Sequence, residues 1–106
     1  MTTDQISAFI ADSIQIGYMT AVKAYEPLAD ELKQSELKTW CQATFTDYKK
    51  LRRLIRAGLV TPHRRGSSKN SPLVYSKADI KRAIITNRLS LYITEEQMKQ
   101  DRVNHK

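Results

Sequence analysis

Apolar residues near the start of the chain recur at spacings of three and four, which is the period of one helix face. These residues are Ile6, Phe9, Ile10, Ile14, Gly17, Ala21 and Ala24. The stripe is widened by Ile16, Met19 and Val22. The pattern predicts an amphipathic helix over residues 4–25, ended by Glu26 and Pro27. Because its apolar surface is so broad, this helix needs a partner, which is either the core of its own domain or a second protomer.

A short helix over residues 36–42 is predicted next. Ser35 is a candidate N-cap for it, because a serine hydroxyl can accept a hydrogen bond from the first turn. One face of this helix carries Leu37, Trp40 and Cys41. On that face Cys41 is expected to be a small buried apolar side chain rather than a nucleophile.

A second short helix is predicted over residues 47–57. Thr46 or Asp47 can cap its start, and Gly58 ends it. Two short helices joined by a tight turn form the skeleton of a helix-turn-helix. We therefore expect a DNA-binding type of helix pair at the centre of the chain.

The second short helix has two chemically different faces. At 100° per residue, Leu51, Leu54 and Ile55 point to one side, which predicts that they face the core. The opposite side carries Lys49, Arg52, Arg53 and Arg56. A helix bound in a major groove needs this arrangement, because its back holds the domain while its front meets phosphates and base edges. The alternative is a solubilising surface, but acidic i,i+4 partners for these cations are absent from the sequence.

A β-hairpin is predicted after this helix. Residues 59–65 and 73–75 are extended in pattern, and the segment between them is rich in Gly, Ser, Asn and Pro. The hairpin would form a two-stranded wing beside the helix-turn-helix. The expected fold is thus mainly α, a winged helix-turn-helix with a hairpin wing and an extra N-terminal helix.

Two more helices are predicted at the end of the chain. Ser76 and Asp79 have the spacing of a capping box, which predicts a helix to about Asn87 whose core-facing residues are Ile80, Ala83 and Ile84. Thr94 and Gln97 have the same spacing and predict a separate last helix. The predicted organisation is a supporting or dimerising helix over 1–30, a DNA-binding domain over 35–92 and a helical tail over 93–106.

The charge of the chain is strongly segregated. The 106 residues carry a formal net charge of +7. Residues 1–47 contain seven acidic and three basic residues, whereas residues 49–88 contain twelve basic residues and one acidic residue. The positive excess therefore lies on the second short helix, the hairpin and the helix that follows. Such an excess favours a polyanionic partner such as nucleic acid.

The sequence argues against several other classes of protein. The single cysteine cannot form an internal disulfide, and the sequence shows no secretion signal. No apolar run approaches the roughly 20 residues that cross a bilayer. These features predict a cytoplasmic protein. His63 and His105 are too isolated to predict a metal site. Tyr25 and Tyr75 are expected in the core, and Tyr48 at the boundary with DNA. We expect no cofactor, no small-molecule substrate and no enzymatic activity.

Residues 51–66 (LRRLIRAGLVTPHRRG) and 70–84 (NSPLVYSKADIKRAI) resemble the small winged helix-turn-helix of phage and transposon excisionases and of MerR-type regulators. The resemblance covers roughly residues 35–87. It departs from the family in the turn between the two short helices, where the customary glycine is absent. MerR-type regulators also carry a long coiled coil and often a metal site, for which this chain has neither the length nor the clustered cysteines. The chain therefore looks more like an excisionase.

The resemblance implies roles for individual residues. Lys49, Lys50 and Arg53 would approach bases or phosphates, and the wing would contact the DNA backbone through Arg64, Arg65 and Lys69. With the neighbouring polar positions, the candidate DNA-binding set is Thr46, Tyr48, Lys49, Lys50, Arg52, Arg53, Arg56, Arg64, Arg65, Lys69 and Asn70.

The expected function is sequence-specific binding of double-stranded DNA as an excisionase-like architectural factor of a mobile element. A small transcriptional regulator would use the same domain, and a protein-interaction module acting through the N-terminal helix is a further alternative. The expected partner is double-stranded DNA. If the chain is an excisionase, a recombinase is a further expected partner, and if the N-terminal helix mediates dimerisation, so is a second copy. A membrane is not an expected partner. RNA binding is disfavoured, because the sequence lacks the exposed aromatic pairs that stack single-stranded bases.

Overall fold

In the computed structural model, which describes residues 1–104 and the side chains of residues 1–99, the chain is mainly helical with a small three-stranded antiparallel sheet. The elements in chain order are α1 (Thr3–Tyr25), α2 (Pro27–Asp30), β1 (Glu31–Lys33), a 3-10 turn (Gln34–Glu36), α3 (Leu37–Ala43), α4 (Tyr48–Arg56), β2 (His63–Arg64), β3 (Leu73–Ser76) and α5 (Lys77–Asn104).

Strand β3 lies in the middle of the sheet and pairs with both other strands. Leu32 of β1 lies opposite Tyr75, and His63 of β2 lies opposite Val74. The predicted hairpin is therefore present as β2 and β3, although β2 has only two residues. Strand β1 was not predicted, because three residues are too few to show an alternating pattern.

The core lies between α3, α4, the sheet and the first half of α5. Leu51 and Leu54 of α4 are buried as predicted, and Ile55 is half-buried against them. Ile80 and Ile84 of α5 are also buried as predicted, with Ala83 packed beside them. The core is completed by Leu32, Leu37, Cys41, Val60 and Tyr75.

Helix α4 begins and ends where the sequence predicts. The Asp47 carboxylate accepts hydrogen bonds from the backbone N–H groups of Lys49 and Lys50, so Asp47 is the N-cap. Gly58 has a φ of +78°, and the next backbone N–H bonds back to the carbonyl of Leu54. A glycine takes up this left-handed conformation at little cost, which ends the helix.

The predicted N-cap of α3 is wrong. Ser35 lies inside the 3-10 turn, and α3 starts after Glu36 without a side-chain cap. The local hydrogen bond instead runs from the backbone N–H of Lys33 to the Glu36 carboxylate, over 2.8 Å. This interaction stabilises the turn between β1 and α3.

Two side chains cap the start of α5. The Ser76 hydroxyl oxygen accepts from the backbone N–H of Asp79 over 3.2 Å, as the capping-box spacing predicts. The same hydroxyl donates to Oδ2 of Asp30 over 2.5 Å, and the backbone N–H of Ala78 donates to Oδ1 of Asp30 over 2.9 Å. Asp30 is only 3% exposed. The end of α2 is thus fixed to the first turn of α5, where the helix dipole also favours a carboxylate.

The predicted break between the last two helices is wrong, because α5 runs without interruption from Lys77 to Asn104. Glycine and proline are absent from this segment, so its backbone has no residue that stops a helix. Thr94 does not act as a cap, since its hydroxyl donates to the carbonyl of Ser90 one turn earlier. Residues 93–104 of the predicted C-terminal helix are therefore the distal part of α5, and the predictions for residues 105–106, including His105, lie outside the described residues.

Helices α1 and α5 run antiparallel and form what we call the arm. Asp12 forms ion pairs with Lys81 and Arg88, and Lys23 with Asp79. At the far end the amino group of Met1 pairs with Glu96, which lowers the pKa of that carboxyl through a hydrogen bond and its positive charge. None of the α1 residues is fully buried, so α1 is attached through one side only.

The prediction that Tyr25 packs in the core is wrong, because its side chain is 87% exposed. It is the last residue of α1 and lies on the side of that helix opposite Asp12, away from α5. Tyr75, by contrast, is buried as predicted. Among the helices described, none combines the length and apolar character needed to span a membrane.

Candidate nucleic-acid interface

The outward face of α4 carries four exposed cationic side chains, namely Lys49, Arg52, Arg53 and Arg56. The opposite face anchors the helix through buried Leu51 and Leu54. Among the side chains of residues 1–99, no carboxylate lies within ion-pair distance of these four cations. We call this set of four residues the α4 basic face.

Several cations elsewhere in the basic stretch form ion pairs within the protein. Lys81 and Arg88 of α5 share the Asp12 carboxylate of α1, and Arg82 pairs with Asp79 over 3.6 Å. Asp12 and Asp79 thus compensate part of the positive charge of α5. The α4 basic face has no such ion pairs among the described side chains, and a concentrated unpaired charge attracts a polyanion.

Tyr48 and Arg52 interact at the start of α4. The Arg52 guanidinium carbon lies 5.9 Å from the centroid of the Tyr48 ring, within the range of a cation–π contact. Tyr48 is half-buried against the core cluster, so it orients Arg52 from the protein side. Lys50 is also half-buried and does not belong to the outward face.

The turn between α3 and α4 holds a residue that the sequence reasoning missed. Phe45 has a φ of +55°, and its side chain is 99% exposed. A non-glycine residue in this left-handed region costs about 1–3 kcal/mol, which is tolerated when the surroundings fix the turn. Here the backbone N–H of Thr46 bonds to the carbonyl of Cys41 over 2.8 Å, and the hydroxyls of Thr44 and Thr46 are hydrogen-bonded.

Phe45 occupies the part of the chain where the resembling family has its glycine. The missing glycine was the available signal for an unusual turn residue. The result is an aromatic side chain in water, two residues before the N-cap of α4. An exposed, conformationally strained aromatic residue beside a basic helix marks this turn as part of the candidate interface.

The predicted wing residues separate into two groups. Arg64 donates through Nη1 to the carbonyls of Lys69 and Ser71, over 2.6 and 3.1 Å, and so holds the loop of the hairpin closed. Arg65 donates through Nε to the Glu31 carboxylate of β1 over 2.7 Å. Both arginines therefore already have structural partners.

The second group is at the tip of the hairpin, where Lys69 and Asn70 are exposed. The tip folds back closely, because a Cβ at Gly66 would lie 2.8 Å from Oγ of Ser71. A larger residue at position 66 would require the Ser71 hydroxyl to rotate away. Lys69 is thus the wing cation that remains for a contact with an external phosphate.

Cys41 has no exposed surface and packs in the core, as predicted. Burial raises the pKa of its thiol, and the negative charge of Asp47 raises it further. The thiol is therefore protonated at neutral pH, and a protonated thiol is a poor nucleophile and metal ligand. Among the described residues, no cluster of three or more His, Cys, Asp or Glu side chains is arranged to hold a metal ion.

Comparison of the chain with protein-family models, with curated proteins and with solved structures found no match.

Proposed function

We propose that this chain binds double-stranded DNA through the α4 basic face. The observation that carries the proposal is the contrast between the four unpaired cations of α4 and the ion-paired Lys81, Arg82 and Arg88 of α5. A helix anchored by Leu51 and Leu54 and charged on its outer side fits a major groove about 12 Å wide. The phosphates on both sides of the groove would then pair with the arginines.

The arrangement around α4 supports a winged helix-turn-helix mode of binding. Helices α3 and α4 are joined by a turn of four residues, and the β2–β3 hairpin follows α4 directly. In this proposal α4 enters the major groove, and the hairpin tip with Lys69 lies along the adjacent backbone. Phe45, in the turn between the two helices, contacts the sugar-phosphate backbone.

The biological role that we propose is that of an excisionase-like architectural factor of a mobile element. It rests on the resemblance of residues 51–84 to excisionases. An architectural factor bends its site, whereas a simple repressor occupies an operator without needing to bend it. Circular-permutation gel shifts on the target site distinguish the two roles, because a bend makes mobility depend on the position of the site.

The test of DNA binding is fluorescence anisotropy with duplex DNA, single-stranded DNA and duplex RNA over a salt series. We expect duplex DNA to bind best, with micromolar affinity for random sequence and a log–log salt slope near −5 if about five or six phosphates are contacted. Equal or tighter binding of single-stranded DNA or RNA would refute the proposal.

Two lysine variants give the matched comparison. Lys49→Ala removes one charge from the α4 basic face, and Lys99→Ala removes one exposed charge from the distal part of α5. We expect Lys49→Ala to reduce the magnitude of the slope by about 0.9, the value for one phosphate contact. Lys99→Ala should leave the slope unchanged, and equal effects would show that only the total charge matters.

A further inference from the structure

The side of α1 that faces away from α5 is apolar and uncharged. Helix α1 contains three charged residues, of which Asp12 and Lys23 form ion pairs with α5. The third, Asp4, lies on the far side of the helix from Ile6, because two residues turn about 200°. The outward side instead exposes Ile6, Ile10, Ile14 and Tyr18. We call this surface the outer face of α1.

A helix on the surface of a water-soluble domain normally has a polar outer side. Contiguous apolar patches on monomers rarely exceed a few hundred Å², and larger ones mark interaction sites. Both sides of α1 are apolar here, and one of them is left in water. We therefore expect a partner to cover the outer face.

Gly17 lies in the middle of the outer face. A Cβ built on it would meet nothing within 4 Å, so nothing within the described chain requires a glycine at this position. Glycine weakens the interior of a helix relative to alanine, and it allows a second backbone to approach closely. A glycine at position 17 is explained if another helix crosses α1 at this point.

The isoleucines of the outer face precede Gly17, and its alanines follow Gly17. The isoleucines are Ile6, Ile10 and Ile14, the alanines are Ala21 and Ala24, and Tyr18 is directly next to Gly17. If two copies of α1 cross antiparallel at Gly17, positions equally far from Gly17 face each other. Ile10 then lies opposite Ala24, and Ile14 lies opposite Thr20 and beside Ala21. These two isoleucines thus meet small side chains, whereas a parallel pairing would place each isoleucine against its own copy.

We infer that the outer face of α1 binds the same face of a second copy, antiparallel about a two-fold axis at Gly17. In such an isologous contact, a charged residue near the axis would lie next to the same residue of the other copy and be repelled by it. A face without charged residues therefore fits a second copy as its partner. Lys81 of α5, which lines a groove with Ile14 and Tyr18 at the border of this face, is already paired with Asp12 over 3.8 Å. The inference does not depend on DNA binding by α4.

The antiparallel overlap covers most of α1. Because positions equally far from Gly17 face each other and α1 ends at Tyr25, the two copies overlap over residues 9–25, which extend over about 25 Å at 1.5 Å per residue. The aromatic residues Phe9 and Tyr25 lie at the two ends of this overlap.

The first test is sedimentation velocity on the full chain and two glutamate variants. Ile10 on the outer face is 55% exposed, and Ile93 on α5, outside this face, is 56% exposed. We expect the parent to be dimeric, Ile10→Glu to raise the dimer dissociation constant by at least about tenfold, and Ile93→Glu to leave it nearly unchanged. A monomeric parent, or equal effects of the two variants, would overturn the inference.

The second test distinguishes antiparallel from parallel pairing by oxidation to a disulfide. A disulfide needs Cα atoms within about 7 Å, and Cys41 is buried, so an introduced cysteine reports only its own position. Gly17→Cys should cross-link efficiently, because the axis brings residue 17 of both copies together, whereas Ile10→Cys should not. Efficient cross-linking at position 10, or none at position 17, would contradict the antiparallel arrangement.

Discussion

Replacing Asp30 by alanine is expected to lower the free energy of unfolding by about 3 kcal/mol, which is a large part of the stability of a small domain. The Asp30 carboxylate is buried and accepts from the Ser76 hydroxyl and from the backbone N–H of Ala78. Alanine would leave both buried donors without this acceptor and would remove the carboxylate from the start of α5. Urea unfolding followed by circular dichroism measures the change.

Two further variants make this result specific. Asp30→Asn retains an oxygen acceptor of similar shape, so we expect it to lose less stability than Asp30→Ala. Asp4→Ala removes an exposed carboxylate from the first turn of α1 and should change the free energy of unfolding by less than about 0.5 kcal/mol. An Asp30→Ala protein as stable as the Asp4→Ala protein would show that the double cap of α5 is unimportant.

The combined variant Arg53→Ala/Arg56→Ala is expected to have the largest effect on DNA binding. Both arginines lie on the α4 basic face, and neither has an ion-pair partner among residues 1–99. Loss of two phosphate contacts should reduce the magnitude of the salt slope by about 1.8 and the affinity at 50 mM salt by about two orders of magnitude. The melting temperature should change little, because both side chains are exposed.

The matched control is Lys99→Glu, which lowers the net charge by the same two units at an exposed position on the distal part of α5. We expect this variant to bind duplex DNA within about threefold of the parent, since charges beyond a Debye length of roughly 10 Å are screened. If the two variants lost affinity equally, binding would depend on net charge and not on α4.

Local signals in the sequence predicted the elements that local interactions stabilise. Helix α4 begins at an Asp cap and ends at a glycine, and both act within one turn of the chain. The inward positions of Leu51, Leu54 and Ile80 follow from the helix period alone. The start of α5 at Ser76 was predicted for the same reason, because its cap to Asp79 is a local interaction.

Elements that depend on distant partners were not predictable. Strand β1 has three residues and exists because it pairs with β3, far along the chain. The second cap of α5 comes from Asp30, which no spacing near Ser76 reveals. The continuity of α5 was missed because the spacing of Thr94 and Gln97 has the form of a capping box, whereas Thr94 bonds backward within one helix.

The same distinction applies to the candidate interface. The charged face of α4 follows from residue spacing, and the structure keeps its four cations exposed and unpaired within the described side chains. The sequence could not reveal that Arg64 closes the hairpin loop or that Arg65 pairs with Glu31, because both interactions need the folded sheet. It also could not reveal the conformation of Phe45, which depends on how α3 and α4 meet.

The central claim, that α4 binds duplex DNA, is tested most directly by titrating a short duplex into isotope-labelled protein and following the backbone amide signals by NMR. We expect the largest shifts over residues 47–57, smaller shifts over the hairpin tip at residues 66–71, and no shifts over residues 89–99 of α5. Large shifts confined to the arm, with the α4 signals unchanged at saturating duplex, would contradict it.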